Sequence, residues 1–314
     1  MNPNTVLERI VENVERVIVD KRYEIELTII SLLCRGHLLI EDVPGVGKTS
    51  LASALAKSLG CSFQRIQFTP DIMPADITGF SVFNPKTGDF DYRPGAILSQ
   101  IVLADEINRT SPKTQSSLLE AMEEKQVTVD GKTYRIKEPF MVLATQNPVE
   151  YLGTYPLPEA QMDRFFMRIS LGYPSLTEEM RMVTRMGGQS PLKNLRPVAA
   201  GEDIVAIQQL IEQVHMDAKV NEYVVSLVRH TRENPLVSLG ASPRASISLY
   251  KASQAWALYN GRDYVLPDDV IQMCAHVMEH RIVLTQEGRL KKYTQKDIVQ
   301  MAIDEVAAPV ARRW

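Results

Sequence analysis

The feature that most constrains this chain is an apolar run, His37-Leu38-Leu39-Ile40, that ends in the turn Val43-Pro44-Gly45-Val46-Gly47 and passes into Lys48-Thr49-Ser50. After it, Leu51, Ala52, Leu55 and Leu59 mark one face of a helix closed by Gly60. A strand, a glycine turn and a helix in that order form a phosphate cradle, because glycines let successive backbone N–H groups curl around an anion at a helix N-terminus. Lys48 can reach β- and γ-phosphates, and Thr49 offers a hydroxyl to Mg²⁺. One position departs from the usual pattern: Asp42 stands where the first glycine is expected.

Three further apolar runs, Gln100 to Ala104, Phe140 to Thr145 and Phe166 to Leu171, read as buried parallel strands, and Phe63 to Phe68 as a more polar one. Strands alternating with helices predict a three-layer α/β domain. The run Ile101-Val102-Leu103-Ala104 ends in Asp105-Glu106. At the carboxyl end of a parallel strand Asp105 can hold Mg²⁺ through water, and Glu106 can orient and deprotonate a hydrolytic water. The next strand ends Ala144-Thr145-Gln146-Asn147, where the Asn147 amide can hydrogen-bond a γ-phosphate or the attacking water without adding charge.

Around this core the spacing predicts two helices between Leu7 and about Cys34, broken near Asp20. Two hairpins interrupt the α/β pattern. Val82-Phe83 and Phe90-Tyr92 flank Asn84-Pro85-Lys86-Thr87-Gly88, and the alternating run Val127 to Tyr134 carries an Asp130-Gly131 turn. A shift to Gly, Ser and Pro marks a linker over residues 187–201. Beyond it only helices are expected, over 202–216, 221–233, 242–260 and 267–279. The expected division is a core at 1–186, the linker at 187–201 and a helical lid at 202–314.

Charge and cysteine usage narrow the function. The 35 Lys+Arg against 38 Asp+Glu leave a net charge of -3, so no polybasic field drives nucleic-acid coating. Cys34, Cys61 and Cys274 are scattered, which suits reduced thiols and a cytoplasmic setting. No apolar run approaches the ~20 residues a membrane helix needs, and the amphipathic, charged N-terminus is unlike a signal peptide. His276 and His280 lie at helical spacing but without a third ligand, so no metal site is read there.

At this point the sequence resembles the MoxR family of AAA+ ATPases. The resemblance rests on GHLLIEDVPGVGKT (36–49), QFTPDIMPADITG (67–79), LADEINR (103–109), ATQNPVEYLGTYPLPEAQMDRF (144–165), GASPRA (240–245) and GRDYVLPDDV (261–270), and covers essentially the whole chain. It implies a P-loop NTPase core with a parallel sheet, two inserted β-hairpins and a C-terminal all-helical lid. Asn147 matches sensor 1, Arg164 the arginine finger and Arg244 sensor 2 on the lid, with Arg168 and Arg109 close enough in sequence to compete for the finger role. The nucleotide would lie between core and lid against Pro44, Gly45, Val46, Gly47, Lys48, Thr49, Ser50, Val19 and Arg244, and Mg²⁺ near Thr49 and Asp105. Asp20-Lys21 stands where Gly-Gln often precedes the first core helix, and Ala96 where a proline often follows Gly95. The hairpins fall where the family carries its helix-2 insert and presensor-1 hairpin.

The resemblance further implies an ATP-hydrolysing ring, expected as a hexamer, that remodels or matures protein clients with a von Willebrand factor A domain protein as partner. The ATPase subunit of a metal-chelatase complex, a nucleotide-dependent binding switch and a nucleic-acid motor are the rival functions. The length leaves little room for a separate client-binding domain.

Overall fold

The computed structural model describes residues 2–148, 154–177, 179–180 and 191–309. Its centre is a five-stranded sheet of β1 (Leu38–Glu41), β2 (Phe63–Gln67), β5 (Ile101–Asp105), β8 (Met141–Gln146) and β9 (Met167–Ile169), in the order β2-β5-β8-β1-β9, and every pairing is parallel. Strict alternation explains why strands this short and this apolar share one sheet. Leu38, Ile40, Ile101, Leu103, Met141, Leu143, Met167 and Ile169 all join one buried cluster. Leu39, Val102, Ala104, Val142 and Ala144 join a second on the opposite face. The first face is covered by α1 (Pro3–Glu15), α2 (Arg22–Leu33) and α3 (Lys48–Ser58), the second by α4 (Pro74–Thr78), α5 (Pro112–Glu124) and their neighbours. The expected three layers follow from that two-sided burial.

Asp20, at φ 55°, breaks the chain between α1 and α2 where expected. Both hairpins form: β3 (Gly79–Asn84) with β4 (Asp89–Pro94), and β6 (Gln126–Val129) with β7 (Lys132–Arg135). Asp130 and Gly131 take φ of 50° and 75°, the left-handed pair that a two-residue turn requires. The hairpins touch each other: the Tyr92 and Tyr134 rings stack with centroids 3.9 Å apart.

Residues 187–190 of the expected linker lie outside the described residues. From Pro191 the chain runs along the core, where the Val198 and Ala199 N–H groups donate to the Ser58 carbonyl. The lid then supplies helices Gly201–Ile211, Ala218–Glu233, Pro243–Tyr259, Pro267–Met278 and Gln295–Glu305, and its buried side chains merge with the first core cluster. The lid is not wholly helical. Val237–Leu239 pairs antiparallel with Val283–Leu284 as β10 and β11, a ladder begun beyond Asn234-Pro235, where a proline cannot continue the preceding helix.

Candidate functional site

The turn between β1 and α3 lies at the carboxyl ends of the strands. Gly45 and Gly47 adopt φ of 89° and 99°, and Gly47 caps α3 without a side-chain hydrogen bond, so the helix begins on bare backbone donors. Asp42 explains the departure from the usual glycine. Its carboxylate is buried and accepts from Val43 N (2.9 Å), Gly172 N (2.7 Å) and Ser170 Oγ (3.0 Å), tying the start of the loop to the chain leaving β9. A glycine there would lose all three bonds. Lys48 Nζ donates to the Asp42 and Val43 carbonyls at 2.8 and 3.1 Å, which holds the ammonium under the loop. Burial pushes Lys48 below its usual range, opposed by the fields of Asp42, Asp105 and Glu106, so these carboxylates converge on it.

Register places the other candidates beside this loop. Ala104 of β5 pairs with Ala144 of β8, and Glu41 of β1 with Gln146, so Asp105, Glu106, Asn147 and the phosphate turn leave three adjacent strands together. Thr145 locks the acidic pair: its Oγ1 donates to Asp105 Oδ1 (2.6 Å) and accepts from Glu106 N (2.8 Å). Asp105 Oδ2 also accepts from Arg65 Nε (3.0 Å) and Nη2 (2.6 Å). Glu106 occupies the left-handed region (φ 59°) and its Oε2 accepts from Gln67 Nε2 at 2.9 Å, with Arg109 Nη1 3.3 Å away. Ile18 approaches Gly47, which brings the Val19 segment to the loop. Thr49 is exposed near the start of α3 and Ser50 half-buried.

These residues fit a nucleotide with Mg²⁺. Among the described residues no group of three or more His, Cys, Asp or Glu forms a protein-only metal cage. Thr49 and Asp105 offer a hydroxyl and a carboxylate oxygen, the hard donors that suit Mg²⁺.

Arg164 and Arg244 lie elsewhere. Arg164 immediately precedes β9, at the amino ends of the strands. Its Nη1 is 2.9 Å from Glu123 Oε2, and Arg244 Nη2 is 2.6 Å from the other oxygen of the same carboxylate, so one side chain on α5 gathers both arginines. They share a cleft with Gly36 and His37, which lead into β1. The length of β1, about 13 Å at ~3.3 Å per residue, separates this cleft from the phosphate loop. Arg244, expected as a nucleotide contact, thus starts its helix beside Arg164, not beside Lys48. The two rivals are committed differently. Arg168 spans Glu41 (2.8 Å) and Glu279 (3.2 Å), while Arg109 belongs to the Glu106 side.

Sequence reasoning missed Thr145, Arg65, Gln67 and Glu123. Arg65 and Gln67 carried a weak signal, since residues at alternate positions of a strand share one face. Glu123 carried none, being one acid among several on α5. The discounted histidines are engaged in packing: His276 Nε2 contacts Tyr23 Oη (3.0 Å) and His280 Nε2 the Phe165 carbonyl (3.1 Å). Residues 149–153, inside the quoted 144–165 motif, lie outside the described residues.

Comparison with known proteins agrees with this fold. A family model described as ATPase family associated with various cellular activities (AAA) matches residues 37–167, and one described as AAA lid domain matches 229–302. The chain is 52% identical over 307 residues to the uncharacterised protein YeaC of Bacillus subtilis (strain 168), covering 98% of this chain and 96% of that one. It is 39% identical over 312 residues to Chaperone MoxR1 of Mycobacterium tuberculosis, covering 96% and 82%. A crystal structure from Cytophaga hutchinsonii, provisionally described as of an ATPase, matches with a TM-score of 0.91 at 37% identity over 98% of this chain and 96% of that one.

Proposed function

We propose, from the premise that the chain belongs to the MoxR family of AAA+ ATPases, that it binds ATP with Mg²⁺ at the carboxyl ends of its strands, assembles head to tail into a ring, and uses hydrolysis to remodel a protein client. The observation that carries the reading is the division of the catalytic set. Lys48, Asp105 and Glu106 occupy one end of the sheet, and Arg164 and Arg244 are gathered on Glu123 at the other. A complete site then needs two copies of the chain. Such a heterologous contact, repeated with a rotation that closes, makes a ring.

In this mechanism the N–H groups of the Gly45–Gly47 turn and Lys48 hold the β- and γ-phosphates, and Lys48 exchanges its two carbonyl acceptors for phosphate oxygens. Thr49 and Asp105 would hold Mg²⁺, which would neutralise negative charge on the phosphates. Glu106, aimed by Gln67 and by the Thr145 bond to its N–H, accepts the proton of the attacking water. Asn147 orients that water or the γ-phosphate. Arg164 and Arg244 of the adjacent copy neutralise charge developing on the γ-phosphate, an effect worth ~10³ to 10⁵ in rate for arginine fingers. The chaperone name of a relative over most of this chain supports a protein client.

ATPase rate per subunit, measured against protein concentration with Mg²⁺ present, tests the assembly. The rate should rise with concentration and saturate, and vanish on chelation. A flat dependence would count against an arginine supplied by a neighbour.

A further inference from the structure

The turn that carries Arg164 is held by the lid. Asp163 Oδ1 accepts from Arg281 Nε at 2.9 Å, and the Ser242 hydroxyl donates to the same carboxylate, 2.9 and 2.8 Å from its two oxygens. Arg281 Nη2 donates to the carbonyls of Asp163 (3.2 Å) and Phe165 (2.6 Å), and Nη1 to those of Phe166 (3.3 Å) and Val277. The Arg281 guanidinium is buried, and burial pushes it down to about 10 against the opposing pull of Asp163. Ser242 is also the N-cap of the helix bearing Arg244, where its Oγ accepts from Arg244 N at 3.1 Å. One buried arginine therefore satisfies the acidic side chain and three carbonyls of the turn, and the serine on that carboxylate opens the Arg244 helix.

We propose that Arg281 is a positioning residue that, through Asp163 and Ser242, couples the Arg164 turn to the lid, so that Arg164 and Arg244 meet a neighbouring copy's nucleotide as one rigid pair. The proposal rests on the reading above that Arg164 acts on a neighbour. A lid displacement then moves both arginines together. An arginine suits the task because its planar fork can serve the carboxylate and several carbonyls at once, where a lysine offers a point charge.

Subunit mixing tests the coupling. Arg281→Gln alone should bind ATP within about twofold of wild type but lose at least about tenfold in kcat, since only the neighbour's site is impaired. Mixed with Glu106→Gln subunits, themselves inactive, it should regain activity, because a Glu106→Gln subunit presents an intact Arg164 to the intact phosphate loop of the Arg281→Gln subunit. Random equimolar rings would place about a quarter of the interfaces in that arrangement. Arg164→Ala mixed with Glu106→Gln is the control. If the control stays inactive, the trans reading fails and takes the proposal with it. If the control recovers and the Arg281→Gln mixture does not, the proposal alone is overturned, as it is if Arg281→Gln retains wild-type kcat. Should Arg281→Gln not fold, Asp163→Asn, which keeps the side chain's shape, decides by the same mixture.

Discussion

The two ends of the central sheet are built on opposite plans. At the carboxyl ends, acidic side chains and a cation are fixed by backbone and by near neighbours in the strands. Asp42 is bound to Val43, Ser170 and Gly172, and Asp105 and Glu106 are joined through Thr145. At the amino ends, arginines are held by side chains from outside the sheet: Arg164 and Arg244 by Glu123 of α5, and the turn before β9 by Arg281. In the proposed function the first end receives polyphosphate. The second carries cations on a surface that the lid helps to hold. The near-zero net charge of the chain conceals this complementarity, which suits a head-to-tail contact between copies.

Breaking the arginine end should have the largest effect. Arg164→Ala is expected to lower kcat by ~10³-fold or more, as for arginine fingers, while nucleotide affinity measured with a fluorescent ATP analogue changes little. A large loss of affinity instead would place Arg164 on its own subunit's nucleotide. At the phosphate end, Glu106→Gln should reduce turnover by ~10²- to 10⁴-fold, the usual contribution of a positioned general base, and keep ATP bound in an equilibrium binding assay. Wild-type turnover in that variant would remove Glu106 from the base role.

Acid should separate the two ends more gently. His37 lies just before β1, with Nδ1 accepting from Val142 N and Nε2 facing the Met122 carbonyl, and burial pushes it down to about 4. Burial likewise lowers His276 and His280, which contact α2 and the turn before β9. Each binds a proton more readily when unfolded, so stability is full above the unfolded value near 6.5 and declines as pH falls toward the folded value. His37 alone should contribute a loss of about 2 kcal/mol between pH 7.5 and pH 5. Urea midpoints at the two pH values measure it, and His37→Gln should flatten the difference; an unchanged slope would mean that His37 already titrates freely in the fold. The smallest effect is expected from Glu123→Ala. Its ion pairs are substantially exposed, so unfolding free energy should change by only about 0–1 kcal/mol, and a larger shift in the urea midpoint would give Glu123 a structural role beyond gathering the two arginines.

Much of the phosphate end was legible because its parts are local. A cradle needs consecutive backbone donors, so Pro44 to Ser50 must be contiguous. A parallel strand delivers its last residues to the carboxyl edge of the sheet, so Asp105, Glu106 and Asn147 could be placed by their position after apolar runs. Gln67 and Arg65 were half-legible as polar residues on one face of β2. The arginine end was named only through resemblance. An arginine on a helix start or before a strand looks in sequence like any surface cation, and neither Glu123 nor Arg281 is distinguished by its neighbours along the chain.

The sequence by itself determined the sheet, whose two faces follow from alternating side chains, and the phosphate loop, whose chemistry is written in adjacent residues. Only the tertiary structure decided that Asp42 anchors the loop, that Arg168 is committed to Glu41 and Glu279, and that Arg244 stands with Arg164 rather than with Lys48. The physical reason is range: backbone periodicity and loop chemistry act over a few residues, whereas these ion pairs and hydrogen bonds join groups far apart in sequence that meet only when the chain packs.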